Sequence, residues 1–173
     1  LYDGLKATQG IIFCKSRRAV QQLAKTLKVR DKEVTAMHGE MTQRERTDCI
    51  KAFRDGEIRI LVATDILARG IDIQQVDLVI NFDLPTSRQN YIHRIGRCGR
   101  FGREGVAVNL VNDADMVALK DLEKFYAIEI KEPDATKRGS LEAPSQQQTD
   151  IDGQVRERAQ DWHRSGVLRM TFF

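Results

Sequence analysis

Residues 93–103, His-Arg-Ile-Gly-Arg-Cys-Gly-Arg-Phe-Gly-Arg, concentrate four arginines, three glycines and a histidine within eleven positions. Arginine presents a planar, permanently charged fork of donors that suits phosphate. Read as a helix, the stretch puts His93, Arg97 and Arg100 on one face at i, i+4 and i+7, with Ile92 and Ile95 as an apolar stripe toward a core. Gly96 and Gly99 would each cost about 0.5–1 kcal/mol relative to Ala inside a helix, which suggests that something approaches closely there. The chemistry indicated is phosphate binding. A solvated basic turn, with Arg100 paired to Glu104, would use the same residues.

Elements able to position such a stretch alternate along residues 10–132. Gly10 to Cys14 reads as a buried strand, and Ser16 as the N-cap of a helix to about Lys28 whose Val20, Leu23, Ala24 and Leu27 recur at helical spacing. Val34 to Met37 reads as a second strand. Thr42 with Glu45 three residues later is a capping box opening a helix to about Arg54. Ile58–Ala63, Val76–Phe82 and Val106–Val111 read as three further strands. Ser87 can cap the helix carrying His93, and Asp113 one running to about Phe125; Ile128 to Ile130 suggests a short edge strand.

Strands apolar on both faces, alternating with helices, predict an α/β fold: a mostly parallel sheet of about five to six strands with helices on both faces. Ligands of such sheets bind beyond the carboxyl ends of the strands. Lys15, Ser16 and Arg17 follow the first strand there, and His38, Gly39 and Glu40 the second. Thr64, Asp65, Arg69, Gly70, Ile71 and Asp72 follow the third, and Asp83 and Pro85 the fourth. Small hydroxyls, a glycine, arginines and helix N-termini on one rim suit a phosphodiester chain.

The chain is 41% hydrophobic and 31% charged, enough for a core with a solvated surface. It has no apolar run near the roughly 18 residues needed to span a bilayer, and neither a signal sequence nor a membrane is expected. A net charge of +3 is too small to argue nucleic-acid binding by itself. Cys14, Cys49 and Cys98 are odd in number and widely spaced, so reduced thiols are expected, with no metal site and a cytoplasmic or nuclear setting. Residues 1–132 are expected to form one domain, and 133–173 a linker and poorly ordered tail, polar to Gln154, with a weak helix from about Val155 to His163.

The chain resembles the C-terminal, RecA-like lobe of a DEAD-box ATP-dependent RNA helicase, and within that family the initiation factor 4A group. Ile11 to Arg18 is similar to motif IV, Ala63 to Asp72 to motif V, and the arginine stretch to motif VI; His38-Gly39 with Gln43-Arg44-Glu45-Arg46 resembles the family's glycine and Q-x-x-R elements. The resemblance covers roughly residues 1–132 and implies a RecA-like three-layer sandwich. It further implies that Arg97 and Arg100 are arginine fingers for the γ-phosphate of ATP held by an N-terminal lobe. Asp72 would contact the ribose, Arg69 and Asp65 would face the phosphates or the other lobe, and His93 would couple the two sites. Ser16, Arg17, Gly39, Gln43, Thr64 and Gly70 would hold the RNA backbone with little regard to sequence.

No G-x-x-x-x-G-K-[S/T] and no Asp-Glu-Ala-Asp occur, so Mg²⁺ and the ATP phosphates are expected on the N-terminal lobe, and this chain alone is expected to be inactive. The chain does not begin with Met, which suggests a fragment or a processed product. Protein regulators are possible further partners. A stand-alone RNA-binding or regulatory domain is the alternative reading. A DNA helicase or remodeller lobe is a third, disfavoured by His93.

Overall fold

The computed structural model describes residues 9–29, 33–66, 76–99 and 105–131, together with the backbone of 166–172. Four four-residue strands, β1 (Gly10–Phe13), β2 (Val34–Met37), β3 (Ile60–Ala63) and β4 (Leu78–Asn81), and the longer β5 (Val106–Asn112) run parallel. A final strand, β6 (Gly166–Phe172), joins antiparallel, giving the order β2-β3-β1-β4-β5-β6. The helices are α1 (Arg17–Lys28), α2 (Gln43–Arg54), α3 (Arg88–Ile95) and α4 (Met116–Tyr126).

Side chains alternate across a strand, so one sheet builds two cores. Ile11 and Phe13 of β1 face the core completed by Cys49 and Phe53 of α2, Tyr91 and Ile95 of α3, and Leu119 and Leu122 of α4. Ile12 and Cys14 face the other, completed by Val20, Ala24 and Leu27 of α1. The sheet therefore carries helices on both faces, as the sequence pattern predicts. Truncating a fully buried side chain such as Phe53 would cost about 3–5 kcal/mol.

Three helix starts follow the expected capping chemistry. Ser16 Oγ accepts the N–H of Ala19, Ser87 Oγ that of Asn90, and Thr42 with Glu45 forms the reciprocal capping box. Each satisfies backbone donors that a helix start leaves unpaired.

Four expectations need correction. Asp113 does not cap α4; Asn112 caps a 3₁₀ turn over Asp113–Asp115 that leads into it, because Asn112 and Asp115 bond reciprocally. Ile128 to Ile130 forms no strand; Ile130 instead donates its N–H to Glu123 Oε1. The tail is not poorly ordered throughout. Residues 166–172 pair with β5 from Val106↔Phe172 to Asn112↔Gly166, filling an edge that would otherwise present unpaired backbone groups. The expected helix over 155–163 and the polar stretch 133–154 lie outside the described residues.

The fourth correction concerns the arginine stretch, which is not one helix. Its α-helix stops at Ile95 with Gly96 as the C-cap, and Arg97 N–H and Cys98 N–H tighten onto the carbonyls of Arg94 and Ile95. The chain then leaves extended: Arg97 O accepts Val76 N–H, and Gly99 N–H donates to Val76 O. Gly99 has φ +92°, a left-handed conformation that glycine takes at little cost. A Cβ on Gly105 would meet Gly99 N at 2.3 Å, so the closely approaching partner at this point is the chain itself. Tyr91 rather than Ile92 faces the core, and Ile92 is exposed.

Candidate functional site

Registers of Phe13 with Ala63, Phe13 with Asn81 and Met37 with Ala63 align the carboxyl ends of β1 to β4. The turns that follow them therefore form one rim. It gathers Ser16 and Arg17 after β1, Gly39 after β2, and Thr64 and Asp65 after β3, with Gln43 opening α2 beside them. Ser16, Arg17, Gly39 and Gln43 are exposed, and Thr64 is half-buried. Arg17 pairs with Glu40, and Gln21 Nε2 lies 3.1 Å from His38 Nε2, so α1 is tied to the turn after β2. The Thr42 backbone N–H and hydroxyl beside Glu45 hold its carboxyl below the ordinary range. Arg69, Gly70, Asp72 and Arg100 lie outside the described residues.

Arg94 is the central buried cation. Its side chain is fully buried, an uncommon place for a guanidinium unless carboxylates and carbonyls surround it. Nε donates to Asp65 Oδ1, and Nη1 donates to the Asp83 carbonyl at 2.7 Å and to Asn81 Oδ1 at 3.2 Å. Its guanidinium carbon also lies 5.2 Å from the Phe13 ring centroid. Asn90, one turn earlier on α3, donates to Asp65 Oδ2 at 3.2 Å. From Asn81 the network continues to Asn109 at 2.8 Å and from Asn109 to the Tyr91 hydroxyl at 3.3 Å. Asp65 thus turns its carboxylate to α3, where it braces the helix, with 28% of its side chain still exposed.

Other side-chain nitrogens in this stretch are left open. Among the described residues His93 Nδ1, Arg97 Nε and Arg94 Nη2 are buried nitrogens with no hydrogen-bond partner. A buried donor left unmade costs about 1–3 kcal/mol, which an incoming acceptor would recover. Arg97 Nε and Arg94 Nη2 are donors, and His93 Nδ1 donates or accepts according to its tautomer. Among the described residues no group of three or more His, Cys, Asp or Glu side chains comes together to hold a metal ion, and no helix is long and apolar enough to cross a membrane.

The helicase conserved C-terminal domain family matches residues 1–102, which takes in β1 to β4, α3 and the arginine stretch as far as Gly102. The chain belongs to that family. Over 132 residues the lobe is 57% identical to the ATP-dependent RNA helicase eIF4A of Yarrowia lipolytica, covering 76% of this chain and 33% of that relative. The C-terminal domain of the DEAD-box protein Dbp5 superposes with TM-score 0.67 at 36% identity, over 75% of this chain and 82% of that one. Saccharomyces cerevisiae Dbp5 bound to RNA and ADP BeF3 gives 0.67 at 39% identity, over 74% and 35%. The helicase lobe is of the DEAD-box, initiation factor 4A type, and spans about a third of the curated relatives it matches.

Sequence reasoning singled out His93, Arg97 and the rim, and passed over Arg94, Asn81, Asn90 and Asn109. Asn81 and Asn109 carried a usable signal: a polar amide within an otherwise apolar strand must find a partner. Arg94 carried none, since it is one of four arginines within residues 93–103 and only the fold distinguishes it from the others.

Proposed function

We propose that this lobe is the C-terminal half of an ATP-dependent RNA helicase motor. In this reading it grips the RNA backbone through the rim of Ser16, Arg17, Gly39, Gln43, Thr64 and Gly70. It presents Arg97 and Arg100 to ATP held by an N-terminal RecA-like lobe, with His93 between the two sites. Asp72 and Arg69 belong to the nucleotide side by their resemblance to motif V. The observation that supports the reading is that Arg97 Nε and His93 Nδ1 are both buried with no hydrogen-bond partner among the described residues. A guanidinium with donors to spare can meet charge that develops on a transferring phosphoryl group, at little reorganisation cost. Mg²⁺ falls to the other lobe, and nothing asked of these residues depends on it. The rim supports backbone recognition because it offers the exposed Ser16 hydroxyl, the half-buried Thr64, an arginine and a glycine, groups suited to phosphate and sugar.

The test mixes the 173-residue chain with a separately produced N-terminal lobe of a DEAD-box relative and follows phosphate release with and without RNA. Turnover is expected only when both lobes are present, and RNA is expected to raise it. Hydrolysis by this chain alone would overturn the reading. RNA binding with no effect on the partner lobe would establish the stand-alone RNA-binding domain instead.

A further inference from the structure

Asp83 lies two residues past β4, with its carboxylate and its carbonyl engaged by different partners. Its carboxylate accepts the Lys15 backbone N–H at 2.9 Å, and Lys15 Nζ lies 3.8 Å from the other oxygen. Its carbonyl accepts Arg94 Nη1 at 2.7 Å. Lys15 is the residue before Ser16 and Arg17; Arg94 is next to His93 and one turn before Arg97. The carboxylate is mostly covered, with 20% of its side chain exposed, so water competes poorly for the Lys15 N–H.

We propose that Asp83 is a positioning residue that links the turn between β1 and α1 to helix α3, so that a shift of one is felt by the other. This rests on the motor reading above. RNA that pulls on Ser16 and Arg17 draws Lys15 with it. The Lys15–Asp83 hydrogen bond then loads the strand end to which Arg94, and through it the segment carrying Arg97, is fastened. The Asp83 N–H and the Phe82 N–H also reach the Phe13 carbonyl, so a side-chain substitution removes the direct Lys15 contact and leaves the strand pairing and the Arg94 bond in place.

The experiment uses the full chain paired with an N-terminal lobe, with poly(U) as the RNA probe. Asp83→Ala is expected to leave RNA-free turnover unchanged and to cut RNA stimulation by about 5-fold or more, the usual size of a coupling term. Asp83→Asn, which keeps an acceptor oxygen for Lys15, is expected to retain most of the stimulation. Equal loss of both rates, or full stimulation in Asp83→Ala, would overturn the proposal. A second measurement needs no variant: amide exchange in the wild-type chain with and without poly(U). Slowing at the Lys15 amide together with a change across α3 is expected; protection of the turn with α3 unchanged would overturn the link. If the paired wild-type lobes hydrolyse nothing, the motor reading fails, and the exchange result still decides whether turn and helix move together.

Discussion

Arg94 Nε donates to Asp65 Oδ1 at 2.5 Å, joining a fully buried guanidinium on α3 to a carboxylate just past β3 that is 28% exposed. The two partners are unequally placed, so their removal has unequal consequences. Loss of the carboxylate strands a cation inside the protein; loss of the cation leaves a carboxylate that can still reach water. Asp65→Ala should therefore destabilise the chain by about 3–5 kcal/mol, and Arg94→Met, which keeps much of the buried volume, by less. Urea unfolding of both variants at neutral pH checks this, and equal losses would show that Arg94 finds other compensation.

Cys49 and Cys98 are buried free thiols whose pKa values burial pushes up to about 11 from 9.0. The folded chain holds these protons where the unfolded chain has released them. Their contribution to stability is accordingly complete below pH 9 and lost as pH rises through 11. Unfolding midpoints should fall across that window, and less steeply in a Cys49→Ala, Cys98→Ala double variant. At pH 7.5, iodoacetamide should label neither thiol until denaturant is added.

The edge strand β6 makes a prediction about truncation. Cutting the chain after Glu132 removes the partner of all seven residues of β5 and opens that edge. The remaining lobe should still unfold cooperatively, at a lower temperature, and should associate as concentration rises. Unchanged melting and a monomer at every concentration in sedimentation would mean that β6 contributes nothing to the fold in solution.

How much of this was legible in the sequence depended on how local the cause was. Ser16, Thr42 with Glu45, and Ser87 announce their helices because a cap bonds within three residues of itself. The strand runs are equally plain, since burial on both faces leaves little room for polar residues. The end of α3 was not legible: Gly96 and Gly99 read as tolerated helix glycines, and only pairing of the 97–99 segment with Val76 pulls the chain out of the helix. Asp65 and Arg94 lie 29 positions apart, and nothing local couples them. Nor did the composition of the tail reveal that its last apolar run would meet β5, because strand pairing over such a distance is decided by the fold.

Recognition of RNA through its backbone has a thermodynamic signature. Binding of single-stranded RNA by the chain alone should weaken as salt rises, with a logarithmic slope of about −0.7 for each phosphate neutralised. Arg17→Ala should reduce that slope by about one contact and leave preference among sequences unchanged. A flat salt titration, or strong selection of one sequence, would contradict the assignment of the rim.

The central claim is that Arg97 acts on ATP and not on the fold, and one paired measurement addresses it. In a two-lobe protein containing this chain, Arg97→Ala should cut RNA-stimulated ATP turnover by at least about 10²-fold. Arg97→Lys should rescue it poorly, because an ammonium keeps the charge and loses the planar fork; Arg100→Ala is the companion variant. The melting temperature should stay where it is in Arg97→Ala, since Nε has no partner among the described residues to lose. Turnover that falls only in proportion to the loss of folded protein would make Arg97 a structural residue and contradict the account.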